Sequence, residues 1–101
     1  MKKTLALLLV LSMLLLGAAM AEGNKIGYTC MDGTNPFFVA LEGSIREVVE
    51  AHGDELISLD PQNSNEKQIS LVEDIIMQGV VAMFINPVDR EGILPALDAL
   101  E

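Results

Sequence analysis

The chain has little with which to build a reactive or cross-linked protein. It carries a single cysteine, Cys30, so no internal disulfide can form, and the fold has to rest on a hydrophobic core. A lipid-acceptor cysteine would directly follow the apolar leader. Cys30 does not, because Glu22, Asn24 and Lys25 intervene, and a buried strand cysteine is the reading its neighbours favour. The single histidine, His52, has no cysteine or serine partner that the sequence identifies. It falls at the end of a helical stretch, where a cation complements the helix dipole. No cluster with metal-ligand spacing occurs. Gly27 and Gly33 do not complete the G-x-G-x-x-G pattern of a dinucleotide site.

Basic side chains are equally scarce. Beyond Ala21 they are Lys25, Arg46, Lys67 and Arg90 against fifteen acids, a net charge of −11 for that part. Such a surface repels phosphate backbones and anionic membrane faces, which excludes nucleic acid and acidic lipid as natural partners. Solubility is the plain consequence of the charge.

What is present begins with a leader. Lys2 and Lys3 precede an apolar run from Leu5 to Leu16 broken only by Ser12. Gly17 to Ala21 is rich in small residues and ends Ala19-Met20-Ala21. This is the basic, apolar, small-x-small order of a cleaved secretory signal, and the run is short of the about 20 residues a spanning helix needs. Residues 1–21 therefore read as a signal peptide, with an uncleaved anchor as the competing reading. The mature protein starts near Glu22, is periplasmic or extracellular, and has no stable membrane insertion after cleavage.

Residues 22–101 alternate strand and helix. Lys25 to Cys30 is a short apolar strand. Phe38, Leu41, Ile45, Val48 and Val49 recur at helical spacing, with Asn35 as N-cap, Pro36 at the first helical position and Gly53 as the stop. Glu55 to Leu59 is a second strand. Asn65 to Gln78 is a second helix with Ile69, Val72, Ile75 and Ile76 on one face. Asn65 and Gln68 have capping-box spacing there, and Gly79 ends it. Val80 to Ile85 is an unbroken apolar run, the pattern of a strand covered on both faces. Pro95 requires that the last helix begin near Glu91. The order β-α-β-α-β-α predicts an α/β fold, a three-layer parallel sheet with right-handed crossovers. The sequence runs out at Ala99-Leu100-Glu101 without a helix stop, with Leu94, Leu97 and Leu100 still to be covered, so the chain reads as the N-terminal part of a longer lobe.

Open parallel sheets bind ligands beyond the C-terminal strand ends, which selects the loops 31–35, 60–65 and 86–89. In the first, Met31-Asp32-Gly33-Thr34-Asn35-Pro36-Phe37-Phe38 sets an amide beside two aromatics. An amide offers donors and an acceptor to hydroxyls, and an aromatic ring covers the apolar face of a sugar. The plainer alternative is that Asn35 only caps the helix and the rings are core, and Phe38 fits the buried stripe better than Phe37. In the third loop Asn86 stands at a strand end before Pro87, where turn formation is the plainer role. Asp32, Asp60 and Asp89 each follow a strand. Strand-end acids can hold Mg²⁺ for phosphoryl chemistry, which keeps a secreted phosphoryl-transfer or hydrolase domain as an alternative, although no strand-end Lys completes such a site.

Asn35-Pro36-Phe37-Phe38, Leu59-Asp60-Pro61-Gln62-Asn63, Gln78-Gly79 and Ile85-Asn86-Pro87-Val88-Asp89 occur in that order and at matching spacing over Lys25 to Glu101. In this the chain resembles the ribose-binding-protein-like periplasmic sugar-binding proteins, receptors of ABC-type sugar importers. Lac-repressor-type regulators share the fold and often a similar Asn-Pro-Phe-Phe segment, but they are cytoplasmic and begin with a DNA-binding helix-turn-helix rather than an export signal. The resemblance implies two α/β lobes closing on a monosaccharide or similar polyol. It implies Asn35, Phe37, Phe38 and Asn86 as ligand-binding residues, the permease subunits of an importer as partners, no cofactor, no metal and no catalysis. One departure is Met31, where ribose binders tend to carry a small hydroxyl residue. A truncated product without binding activity is the remaining alternative.

Cleavage of the leader predicts that mass spectrometry of the exported protein finds a new N-terminus at Glu22 or within a few residues of it. Recovery of intact Met1 from a membrane pellet would contradict this.

Overall fold

A computed structural model describes residues 23–101; the leader lies outside the described residues. Three strands form one parallel sheet in the order β2-β1-β3, with β1 at Lys25–Thr29, β2 at Glu55–Ser58 and β3 at Ala82–Ile85. The intervening helices are α1 (Pro36–Ala51), α2 (Asn65–Met77) and the short α3 (Leu94–Asp98). This is the α/β alternation that the sequence predicts.

The alternation of β1 divides the core. Tyr28 and Cys30 lie on one face with Leu56 of β2 and with Phe38 and Val49 of α1. Thr29 and Gly27 belong to the other face, where α2 packs. There Val72 joins Ile93 and Ala96, with Met83 and Ile85 of β3 against them. Cys30, one residue past the end of β1, is buried and unpaired. The Tyr28 hydroxyl donates to the Phe38 carbonyl oxygen at 3.4 Å. Burial, with the Cys30 thiol beside it, pushes that phenol up to about 12, so it stays protonated and remains a donor.

The helix boundaries follow local chemistry. The Asn35 side chain accepts from the Phe37 amide at 2.9 Å and opens α1. His52 caps the other end with its Nδ1 2.9 Å from the Val48 carbonyl oxygen. Gly53 and Gly79, at φ +79° and +84°, occupy the left-handed region that lets the chain leave α1 and α2 without strain. Three expectations are corrected. The cap of α2 is Ser64, whose hydroxyl accepts from the Lys67 amide at 3.3 Å, rather than Asn65. The last helix begins at Leu94, because Asp89 captures the Glu91 and Gly92 amides in a turn that comes first. Finally, β3 is shorter than the apolar run and, among the described residues, is covered mainly on one face. Met83 and Ile85 pack inward while Ala82 is exposed and Phe84 stays half-exposed beside Ile45, Val48 and Val49 of α1, which packs mainly on β2.

At Gly27 α2 lies close against the sheet. A Cβ there would fall 2.5 Å from the Ile75 Cγ2 methyl and 3.1 Å from Met83 Cγ, and Ile75 is fully buried. Gly27→Ala is expected to cost about 1–3 kcal/mol by overpacking, read as a lower urea midpoint. An unchanged midpoint would mean that α2 does not rest on β1 in this way.

Candidate functional site

Strand order brings the first and third loops together. Thr29 of β1 is in register with Ile85 of β3, and the Asn86 amide donates to the Thr29 carbonyl oxygen at 2.9 Å. The chain therefore leaves β1 into residues 31–35 beside the point where it leaves β3 into 86–89. The crossovers that follow go to opposite faces: α1 to the face of Tyr28, α3 to the face of Val72. The gap between two such strand ends is where open α/β sheets hold ligands.

The second loop is tied to the first. Asn63 donates its amide to the Met31 carbonyl oxygen at 2.8 Å, and the Gly33 amide donates to Asp60 Oδ1 at 2.9 Å. A Cβ on Gly33 would meet the Asp60 carboxyl carbon at 2.9 Å, so the first loop needs glycine there to approach so closely. Gln62 and Asn63 both adopt positive φ, and Asp60 Oδ1 also accepts from the Gln62 amide at 2.9 Å, which holds that turn.

The four predicted ligand residues have different surroundings. Asn35 is exposed, but its side-chain oxygen is engaged with the Phe37 amide, so the helix-cap role applies whatever else the residue does. Phe37 is 67% exposed and Phe38 is 8% exposed. The rings meet edge to face with centroids 5.2 Å apart, so Phe38 is a core residue that props the open ring of Phe37. Asn86 is partly buried, and its Oδ1 has no hydrogen-bond partner among the described residues. A buried, unpartnered carbonyl oxygen is costly and requires a partner.

Gln68, which has capping-box spacing from Asn65 in the sequence, is central here. Gln68 is fully buried. Its Nε2 lies 3.4 Å from Thr29 Oγ1, 3.2 Å from the Cys30 carbonyl oxygen and 3.0 Å from the Asn86 carbonyl oxygen, and its Oε1 accepts from the Val88 amide at 2.8 Å. The missed signal was position: Gln68 falls on the apolar stripe of α2, one turn before Val72 and two before Ile75.

The strand-end aspartates are occupied as loop caps. Asp32 Oδ1 accepts from the Thr34 amide and hydroxyl at 2.9 and 2.7 Å, Asp60 Oδ1 from Gly33 and Gln62, and Asp89 Oδ1 from Glu91 and Gly92 at 2.9 and 3.1 Å. Among the described residues no three acids, histidines or cysteines stand close enough to hold a metal ion. A cavity of about 290 Å³ also opens between α1 and β2, lined by Tyr28, Phe38, Glu42, Arg46, Ser58 and Asp60. It is lined by neither Asn35, Phe37 nor Asn86, and its one cation is already paired with Glu42 and Glu50.

Residues 26–101 match the family model described as periplasmic binding protein domain. The chain belongs to this family. It is 39% identical to the ribose import binding protein of Bacillus subtilis (strain 168), an alignment that takes in 98% of this chain and 37% of that protein. Among solved structures it is similar to an ABC transporter solute binding protein from Mycobacterium smegmatis with bound glycerol. The TM-score is 0.72 and the identity 38%, over 76% of this chain and 27% of that one. It is also similar to the periplasmic binding component of the arabinose ABC transporter from Shewanella sp. ANA-3. That match has a TM-score of 0.67 and 26% identity, over 75% of this chain and 25% of that one. The chain thus spans between 25% and 37% of the length of these relatives, which are transport binding proteins. As a periplasmic binding protein domain it has the expected parallel sheet, and the loops selected above lie at the C-terminal ends of its strands.

Electrostatics give this rim a testable acid limit. The Thr34 amide and hydroxyl hold Asp32 below the usual carboxylate range, and the Gly92 and Glu91 amides do the same for Asp89. A depressed folded-state pKa adds stability above the unfolded value, about 3.9 for Asp. That contribution is lost as pH falls through the folded value. Carboxyl-carbon NMR titrations of Asp32 and Asp89 should show midpoints below the ordinary value, with the Thr34 and Glu91 amide shifts following them. Midpoints at the ordinary value would mean that these caps do not form.

Proposed function

We propose that this chain is the first part of an extracytoplasmic receptor that binds a monosaccharide or similar polyol and delivers it to an ABC-type importer. Asn86 carries the reading. Its buried Oδ1 lacks a partner where the loops after β1 and β3 leave for opposite faces, and a ligand hydroxyl is the donor that would complete it. Phe37 supports it with an exposed ring held by Phe38 in the adjoining loop. The family supports the reading: relatives are named for ribose import and for arabinose transport, and a similar solute binding protein has bound glycerol.

Division of labour follows from residue chemistry. Asn86 accepts from a hydroxyl, Phe37 covers an apolar C–H face, and Asn35 offers its side-chain N–H groups while its oxygen caps α1. A single wall leaves most of a small ligand in water, whereas good sites enclose about 70–90% of its surface. A second lobe supplies the opposite wall, and closure of the two around the sugar creates the form that docks on the permease. The leader directs the protein across the membrane, and cleavage near Ala21 releases it.

Calorimetry of the exported protein, expressed from its complete gene, against a panel of pentoses, hexoses and polyols tests this. One member should bind. Asn86→Ala should then weaken it by about 1–3 kcal/mol, roughly 5- to 150-fold, with Phe37→Ala doing similar damage. Binding that neither substitution changes would remove both residues from the site, and no binding across the panel would overturn the receptor reading.

A further inference from the structure

The rim of the sheet repeats one local device. Asp32 accepts from the amide of Thr34, Asn35 from Phe37, Asp60 from Gln62 and Asp89 from Glu91, each side-chain oxygen bonding the backbone two residues on. Asn86 has the same chemistry and the same opportunity, because Pro87 has no N–H and the next donor is the amide of Val88. It does not close that turn. The Val88 amide is taken by Gln68 Oε1 at 2.8 Å, and Asn86 Oδ1 is left buried without a partner.

We propose that Gln68 is a positioning residue for ligand binding: by occupying the Val88 amide it keeps Asn86 from folding onto its own loop, and so holds the Asn86 carboxamide free for a ligand hydroxyl. This rests on the receptor reading above for the identity of the ligand, but not for the hydrogen-bond competition itself. The rest of the Gln68 environment serves the same end. Its Nε2 reaches the Asn86 carbonyl oxygen at 3.0 Å and the Cys30 carbonyl oxygen at 3.2 Å, while the Asn86 amide is held by Thr29 at 2.9 Å. The backbone of Asn86 is therefore clamped from β1 and from α2, and the side chain is the one part of the residue without a partner. Burying a primary amide on an apolar helix face is unfavourable unless every group is matched. The amide oxygen and nitrogen of Gln68 are both matched by groups at the strand ends that bear the candidate site.

Gln68→Met keeps the length of the side chain and removes its donors and acceptor. Val72→Ala, at another fully buried position one turn further along α2, is the control for a purely structural loss. In the exported protein, Gln68→Met should lower sugar affinity by about tenfold, the loss of one well-formed ligand hydrogen bond, whereas Val72→Ala should lower the melting temperature and leave affinity within twofold. NMR gives a readout that does not need the sugar. In Gln68→Met the Val88 amide should stay protected from exchange while the Asn86 side-chain amide resonances shift, because the turn now closes. A Val88 amide that exchanges freely beside an unmoved Asn86 side chain would overturn the inference, as would equal affinity losses in the two variants. If wild-type protein binds no sugar in the panel, the receptor reading fails, and the NMR arm alone decides the role of Gln68. If Gln68→Met does not fold, Gln68→Asn, one methylene shorter, withdraws the amide from Val88 and is read in the same way.

Discussion

A buried side-chain amide carries two donors and an acceptor that water no longer satisfies, and at Gln68 all of them are met by the ends of β1 and β3. That requirement ties together parts of the chain that are remote in sequence. The Cys30 carbonyl oxygen is 38 positions away and the Asn86 carbonyl oxygen 18. Hydrophobic packing of α2 on the sheet, through Val72 and Ile75, fixes the height of the helix. Gln68, on the same stripe, converts that height into a fixed distance between the two diverging loops. Apolar contacts alone would tolerate a slide of the helix, whereas four hydrogen-bond partners at the strand ends do not.

Around this anchor the rim is built from short side-chain caps rather than from secondary structure. Aspartate and asparagine oxygens hold the turns after each strand, and Asp60 reaches across to the Gly33 amide of the neighbouring loop. One oxygen of each acid that raises the prospect of metal chemistry in the bare sequence is thus engaged by backbone amides. The same arithmetic sets Asn86 apart. Among the described residues two buried side-chain oxygens lack a partner, those of Asn65 and Asn86, and Asn86 is the one that stands between the loops after β1 and β3. Beside it stands an aromatic ring kept in the open by the edge of its neighbour.

Much of this could be seen in the sequence because it depends on local rules. Asn35 before Pro36, and the glycines at 53 and 79, mark helix ends through backbone geometry that few other residues supply, and the structure has those ends. The division between Phe38 inside and Phe37 outside follows from helical spacing alone. Sequence and structure part where two local rules compete. Ser64 and Asn65 are both good caps, and the side chain that reaches the Lys67 amide is decided by where the loop arrives. Asp89 and Glu91 could each begin the last helix, and a tight turn at Asp89 won. The apolar run 80–85 signalled a strand but could not say which face would be covered, since that depends on where α1 lies. Gln68 was hidden for a different reason. A polar residue on an apolar stripe announces a buried partner, but its partners are 18 to 39 residues distant and no local pattern names them.

The central claim is that the gap between the loops after β1 and β3 is the ligand wall, with Asn86 as its acceptor. The most direct measurement is a crystal structure of the protein with a bound sugar. The account predicts a ligand hydroxyl within hydrogen-bond distance of Asn86 Oδ1, the Phe37 ring against an apolar face of the sugar, and the Val88 amide still on Gln68. A sugar bound instead in the cavity between α1 and β2, or Asn86 turned onto Val88 with ligand present, would contradict it.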